Sequence, residues 1–119
     1  MKFNRSMIGA AATVALLVAG GVQAHPKLLA ASPAAGAVVA APARIELHFN
    51  QPLEASFSGG KLTSATKVEP MVAQVDPADA KTMVLTPPQP LTPGVYRLTW
   101  HVVGIDTHVV EGVYVFTVR

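Results

Sequence analysis

The clearest structural signal in this chain is Val95-Tyr96-Arg97-Leu98-Thr99-Trp100-His101-Val102-Val103. Large apolar residues occupy every second position of this run, and polar residues lie between them. A period of two is typical of a β-strand with one buried face, because successive side chains point to opposite sides of a sheet. The inward face is expected to hold Tyr96, Leu98, Trp100 and Val102, and the outward face Arg97, Thr99 and His101.

Shorter runs of the same kind surround this strand. In residues 44–49, Ile45, Leu47 and Phe49 share one face. Further strand-like runs cover 27–31, 61–63, 71–75, 82–86 and 112–118, the last being β-branched and aromatic like a central strand. Proline and glycine turns separate the runs. About seven short strands with regular turns predict an all-β Greek-key sandwich.

Composition limits the class of protein further. A length of 119 residues suits one domain, and the absence of cysteine excludes disulfides, thiolate metal sites and a cysteine nucleophile. The chain has nine Lys and Arg against seven Asp and Glu, and the excess lies entirely in Lys2 and Arg5. Residues 25–119 are therefore balanced in charge, and we expect no nucleic-acid partner.

The first 24 residues have the layout of a secretory signal peptide. Lys2 and Arg5 precede an apolar run at 7–22, and Val22-Gln23-Ala24 forms a small-residue cleavage site. The alternative is an uncleaved membrane anchor, but a bilayer span needs about 20 apolar residues and this run is shorter. We expect cleavage after Ala24, which leaves a single mature domain at 25–119 without a membrane span and with a free α-amine on His25.

Sequence motifs for catalysis are absent. No serine lies in a G-x-S-x-G turn, and the chain has neither a phosphate-binding glycine loop nor an H-E-x-x-H helix. We therefore assign no catalytic and no organic-cofactor residues. The four histidines carry the remaining signal. His48 and His101 fall on the polar faces of their strands, where solvated or cross-strand packing roles explain them.

Asp106 and His108 lie two residues apart in the connection between the last two strands. In an extended segment their side chains leave the same face, and a loop on a rigid sandwich is a usual place for a site. An Asx-type turn with an exposed His108 explains the same pattern without any site. The spacing alone leaves both interpretations open.

His25 adds a second kind of metal ligand. Its imidazole and the α-amine freed by cleavage both lose protons near neutral pH and chelate one ion through a small ring. Pro26 has no backbone N–H, so further ligands have to come from elsewhere in the fold. With Asp106 and His108 the set becomes three nitrogens and one oxygen, which suits tetragonal Cu(II).

Several longer segments together make the chain recognisable. They are His25-Pro26-Lys27-Leu28, Ser32-Pro33-Ala34-Ala35-Gly36, Ala41-Pro42-Ala43-Arg44-Ile45-Glu46-Leu47-His48-Phe49, Leu91-Thr92-Pro93-Gly94-Val95-Tyr96 and Trp100-His101-Val102-Val103-Gly104-Ile105-Asp106-Thr107-His108. The mature sequence resembles the CopC family of periplasmic copper-binding proteins. The resemblance implies a cupredoxin-like or immunoglobulin-like barrel or sandwich. It also implies a Cu(II) site made by the His25 amine and imidazole, Asp106 and His108.

The sequence departs from this family at two places. Members with a second, Cu(I) site carry a Met- and His-rich loop, whereas residues 62–75 here contain only Met71 and no His. Met83 lies in a strand-like run and is expected to pack in the core. We therefore expect Cu(II) binding only. The second departure is His101, where many relatives have Arg.

The sequence thus predicts a periplasmic Cu(II)-binding protein that sequesters or carries copper and is not an enzyme. The resemblance implies a CopD-type inner-membrane copper transporter, or another periplasmic copper protein, as partner, and we expect a monomer. The main alternative is a copper-dependent oxidative enzyme, because a terminal-histidine chelate resembles a histidine brace. An adhesion or assembly sandwich with an incidental metal site is a third possibility.

Overall fold

A computed structural model of the chain describes residues 25–119, and the regular secondary structure of this part is almost entirely β-strand. The strands are β1 (Leu28–Ser32), β2 (Val38–Val39), β3 (Ile45–Phe49), β4 (Gly59–Thr63), β5 (Val68–Pro70), β6 (Val72–Asp76), β7 (Asp79–Thr86), β8 (Gly94–Val103) and β9 (Val109–Val118). A 3-10 turn covers Ala55–Phe57. No helix within residues 25–119 has the length and apolar character needed to cross a membrane.

The strands form two separate sheets rather than a closed barrel. One sheet has the order β1-β3-β7-β6, and the other has the order β2-β9-β8-β4-β5. All neighbours are antiparallel except β2 and β9, which run parallel. The predicted all-β sandwich is therefore confirmed. The predicted signal peptide, residues 1–24, lies outside the described residues and stays a prediction.

All seven predicted strands are present, with ends that differ by a few residues. β7 and β9 each begin three residues earlier than expected, at Asp79 and Val109. The sequence patterns missed two short strands, β2 and β5. β2 has two residues and β5 has three, so neither is long enough to show an alternation of apolar and polar side chains.

The alternating residues face the core as predicted. Ile45, Leu47 and Phe49 of β3 are buried, as are the inward residues of β8: Tyr96, Leu98, Trp100 and Val102. Phe49 and Trp100 meet edge to face across the two sheets, with ring centroids 5.3 Å apart. A Cβ at Gly112 would lie 2.2 Å from Cζ2 of Trp100. The absence of a side chain there lets the indole lie against β9.

The longest hairpin determines where the chain's candidate ligands lie. β8 and β9 pair along ten residues, from Gly94 opposite Val118 to Val103 opposite Val109. The connection at 104–108 therefore emerges at one end of the sandwich. β1 belongs to the other sheet and pairs with β3, with Leu28 opposite Phe49. The residues that precede β1 reach the same end of the molecule.

Candidate metal centre

A tight loop at residues 104–108 connects β8 to β9. The N–H of Thr107 donates to the carbonyl of Gly104 at 2.9 Å, and the N–H of Gly104 donates to the carbonyl of His108 at 3.2 Å. Thr107 has a φ of 71°, in the left-handed region that a β-branched residue seldom adopts. These bonds close the loop around Asp106 and His108.

Asp106 and His108 contact each other within this loop. Oδ1 of Asp106 accepts a hydrogen bond from the backbone N–H of His108 at 3.3 Å. Oδ2 of Asp106 lies 3.1 Å from Nδ1 of His108. The first contact is the Asx-type turn considered above. The Asx-type turn and the side-chain contact between Asp106 and His108 are thus both present, so the two interpretations of this spacing are compatible.

The pKa of the Asp106 carboxyl is lowered from its ordinary value. Partial burial acts to raise this pKa, but the hydrogen bonds from the ring and backbone N–H of His108, together with the positive charge of that ring, outweigh it. The carboxyl group is therefore ionised at neutral pH. It offers an anionic oxygen, which is the form in which a carboxylate binds a metal.

The segment that carries His25 is hydrogen-bonded to Asn50, the residue after β3, and packs beside this loop. The N–H of Lys27 donates to Oδ1 of Asn50 at 2.8 Å, and the N–H of Asn50 donates to the carbonyl of Lys27 at 3.1 Å. Pro26 is buried beside Gly104. A Cβ on Gly104 would lie 3.0 Å from Cγ of Pro26 and 2.9 Å from Oδ1 of Asp106. Gly104 therefore allows the N-terminal segment and the loop to approach each other.

The three predicted ligand residues come together at this end of the sandwich. His25, Asp106 and His108 each offer a ligand atom, and these atoms lie within 4.8 Å of one another. The rings of His25 and His108 have centroids 4.5 Å apart and are tilted by 34°. Both histidines are exposed, and Asp106 is half-buried. We call these three residues the terminal cluster.

The other two histidines lie outside the terminal cluster. The outward-facing His48 on β3 hydrogen bonds to Thr82. The ring of His101 on β8 covers Gly59, whose Cβ, if present, would lie 3.1 Å from Cε1 of His101. Sequence reasoning did not identify Asn50 and Gly104 as the residues that position the cluster. Gly104 lies within the motif quoted above, but nothing in its sequence context shows that it contacts Pro26.

The terminal cluster has the donor set of a site for a borderline metal ion. Two imidazole nitrogens and a carboxylate oxygen suit copper, zinc or nickel. Metal–ligand bonds of about 2.0 Å place opposite ligands of a tetragonal site about 4 Å apart. Donor atoms within 4.8 Å of one another are therefore close to the spacing of ligands around a single ion.

Comparison with known proteins identifies the family. The family model described as the CopC domain matches residues 28–119, so this chain belongs to the CopC family. Copper resistance protein C of Pseudomonas syringae pv. tomato is 42% identical over 126 aligned residues, covering all of both chains. The crystal structure of PcoC, a methionine-rich copper resistance protein from Escherichia coli, matches with a TM-score of 0.69 at 44% identity, covering 81% of this chain and all of that one. The copper transport protein CutJ of Bacillus subtilis is 29% identical over 98 residues, which are 80% of this chain and 18% of that protein.

Proposed function

We propose that this protein binds one Cu(II) at the terminal cluster and sequesters or carries it in the periplasm, in copper homeostasis and resistance. The observation that carries the proposal is the convergence of His25, Asp106 and His108, with ligand atoms within 4.8 Å. Cleavage after Ala24 would add the α-amine of His25 as a fourth ligand. The names of the relatives, copper resistance protein C and PcoC, support copper as the ion.

The donor set favours Cu(II) over other divalent ions. Three nitrogens and one carboxylate oxygen suit a tetragonal geometry, and Cu(II) stands above Ni(II) and Zn(II) in affinity for such donors. Pro26 provides no backbone N–H, so the chelate at the amino terminus cannot extend along the chain. The ion then depends on Asp106 and His108 to complete its coordination, which ties its binding to the folded state.

The two methionines in residues 25–119 support a site for Cu(II) without a second, thioether site for Cu(I). Met71 is 9% exposed and Met83 is fully buried, and both belong to the hydrophobic core. A Cu(I) site of the soft type needs accessible sulfur ligands. The relative PcoC, by contrast, is described as methionine-rich.

In this proposal copper is cargo, taken from or passed to another protein. The partner is a CopD-type inner-membrane copper transporter or another periplasmic copper protein, and the carrier itself is a monomer. CutJ supports a transporter as partner, since it is named a copper transport protein and a region similar to this chain forms 18% of it. The exposure of His25 and His108 would let a partner's ligands replace them one at a time.

The test is a Cu(II) titration followed by electron paramagnetic resonance on two forms of the protein. One form begins at His25, and the matched control carries one additional residue before it. We expect only the first form to bind one tight, tetragonal Cu(II), because the extra residue converts the amine into an amide. Equal binding by both forms, or binding by neither, would overturn the proposed site.

A turnover assay separates a carrier from a copper-dependent oxidative enzyme. The copper-loaded protein is incubated with ascorbate and hydrogen peroxide, and peroxide consumption is compared with that of the same concentration of free copper. A carrier is expected to hold consumption at or below the free-copper rate, because its ligands occupy the ion. Consumption well above that rate would favour the enzyme.

A further inference from the structure

The outward-facing His48 on β3 belongs to a hydrogen-bonded chain of side chains that the terminal cluster does not use. Its register neighbours are Ala30 on β1 and Thr82 on β7. The side chain is 42% exposed, but its Nδ1 lies 2.9 Å from Oγ1 of Thr82, a residue that is only 2% exposed. The buried hydroxyl therefore fixes one edge of the ring and leaves the other edge toward solvent.

The direction of the hydrogen bonds determines which ring nitrogen carries the proton. Oγ1 of Thr82 donates to Oδ2 of Asp79 at 2.8 Å. The pKa of Asp79 is lowered, first by this hydrogen bond from Thr82 and then by the backbone N–H of Lys81, so at neutral pH its carboxylate can only accept. The single hydroxyl proton of Thr82 is thereby committed to Asp79. Toward His48 the hydroxyl can only accept, and Nδ1 of His48 must be the protonated nitrogen.

The free lone pair of neutral His48 consequently lies on Nε2, which faces the carboxylate of Glu46. Nε2 is 3.5 Å from Oε1 of Glu46, a long distance for a direct hydrogen bond. Two ligands of a tetrahedral ion with bonds of about 2.0–2.1 Å lie about 3.4 Å apart. The other carboxylate oxygen of Glu46 is held by Arg44 at 2.7 Å, which fixes the orientation of the group.

We propose that Nε2 of His48 and Oε1 of Glu46 form a second, weaker site for a divalent ion such as Zn(II) or Cu(II), with water completing the coordination. We call His48, Thr82, Asp79 and Glu46 the sheet relay. A carboxylate that orients a metal-binding histidine is a common second layer of metal sites, and here the hydroxyl of Thr82 transmits that effect. This site shares no residue with the terminal cluster, so each of the two proposals can be tested without the other.

The test uses a background in which the terminal cluster is removed, the double variant Asp106→Ala/His108→Ala. Zn(II) is titrated into this protein while the histidine ring signals are followed by NMR, because Zn(II) is diamagnetic. We expect the His48 signals to shift at the lowest concentrations that affect any ring. Adding His48→Gln is expected to abolish the binding, and adding Thr82→Val to weaken it about tenfold, as for other second-layer residues.

Two controls keep this test decisive. His101→Gln removes another exposed strand histidine and is expected to leave Zn(II) binding unchanged. Glu46→Gln retains His48 and provides a second variant if His48→Gln perturbs the fold. Unchanged His48 signals during the titration would show that His48 and Glu46 form an ion pair only, and would overturn the site. A neutral His48 protonated on Nε2, seen in its ring nitrogen shifts, would contradict the sheet relay itself.

Discussion

The terminal cluster and the sheet relay both place a histidine beside a carboxylate, but the fold holds them in different ways. In the terminal cluster, His25 comes from the segment before β1, while Asp106 and His108 come from a loop about 80 residues later. In the sheet relay, His48 and Thr82 face each other on paired strands. If both bind an ion as proposed, strand pairing orients the sheet relay beforehand, whereas the side chains of the terminal cluster have to close around the ion. The affinity of the terminal cluster should therefore depend on its loop, its N-terminal segment and pH.

The largest expected effect is the loss of Cu(II) from the terminal cluster in acid. Imidazole and amine ligands bind a metal only after losing their protons, and three such groups are proposed here. Because as many as three protons compete with the ion, we expect the affinity to fall by more than about 1,000-fold between pH 7 and pH 5. Asp106 contributes little to this fall, because its pKa is lowered. Competition titration against a chelator of known affinity measures the effect, and a constant affinity from pH 5 to pH 8 would contradict the proposed ligands.

The second largest effect is expected when the carboxylate of Asp106 is removed. Asp106→Ala is expected to weaken Cu(II) binding about 100-fold, or about 2.7 kcal/mol, because it removes the anionic ligand. Thermal unfolding should change little, since the loop lies at the end of the sandwich. Asp106→Asn is the matched control, since its amide oxygen can still accept from the N–H of His108. If Asn and Ala variants both bind like the parent, Asp106 is not a ligand.

A smaller effect is expected where the N-terminal segment meets the loop. In Gly104→Ala the new methyl group would come within 3.0 Å of Cγ of Pro26 and 2.9 Å of Oδ1 of Asp106. The N-terminal segment and the loop would then have to move apart. We expect Cu(II) affinity to fall about tenfold, as for other substitutions of residues that position metal ligands. Ile105→Ala, at an exposed position of the same loop, is the control and should leave the affinity unchanged. An unaltered affinity in Gly104→Ala would show that the docking of Pro26 does not position His25.

The two regions also differ in how far the sequence could predict them. The alternation of apolar and polar residues predicted the strands and their buried faces. In β8, for example, the polarity of the side chains at 96–102 matches the face of the sheet on which each lies. The D-x-H spacing and the predicted amino terminus identified the residues of the terminal cluster. Their meeting depends on contacts of Pro26 and Asn50 that no local pattern encodes. The sheet relay was not predicted, because the pairing of His48 with Thr82 joins strands 34 residues apart.

The smallest expected effect concerns stability in acid and tests the sheet relay without any metal. The hydrogen bond from Thr82 lowers the pKa of Asp79 in the folded protein below its ordinary 3.8. An acid with a lowered pKa stabilises the fold above its unfolded pKa and loses that contribution as pH falls through its folded pKa. Asp79→Asn should therefore lower the melting temperature slightly at pH 7, and the difference from the parent should shrink below about pH 4. Asp76→Asn, at the residue opposite Asp79 in the same hairpin, is the comparison variant for changes in net charge. A difference for Asp79→Asn that persists unchanged to pH 2 would mean that the carboxylate charge of Asp79 contributes nothing to the sheet relay.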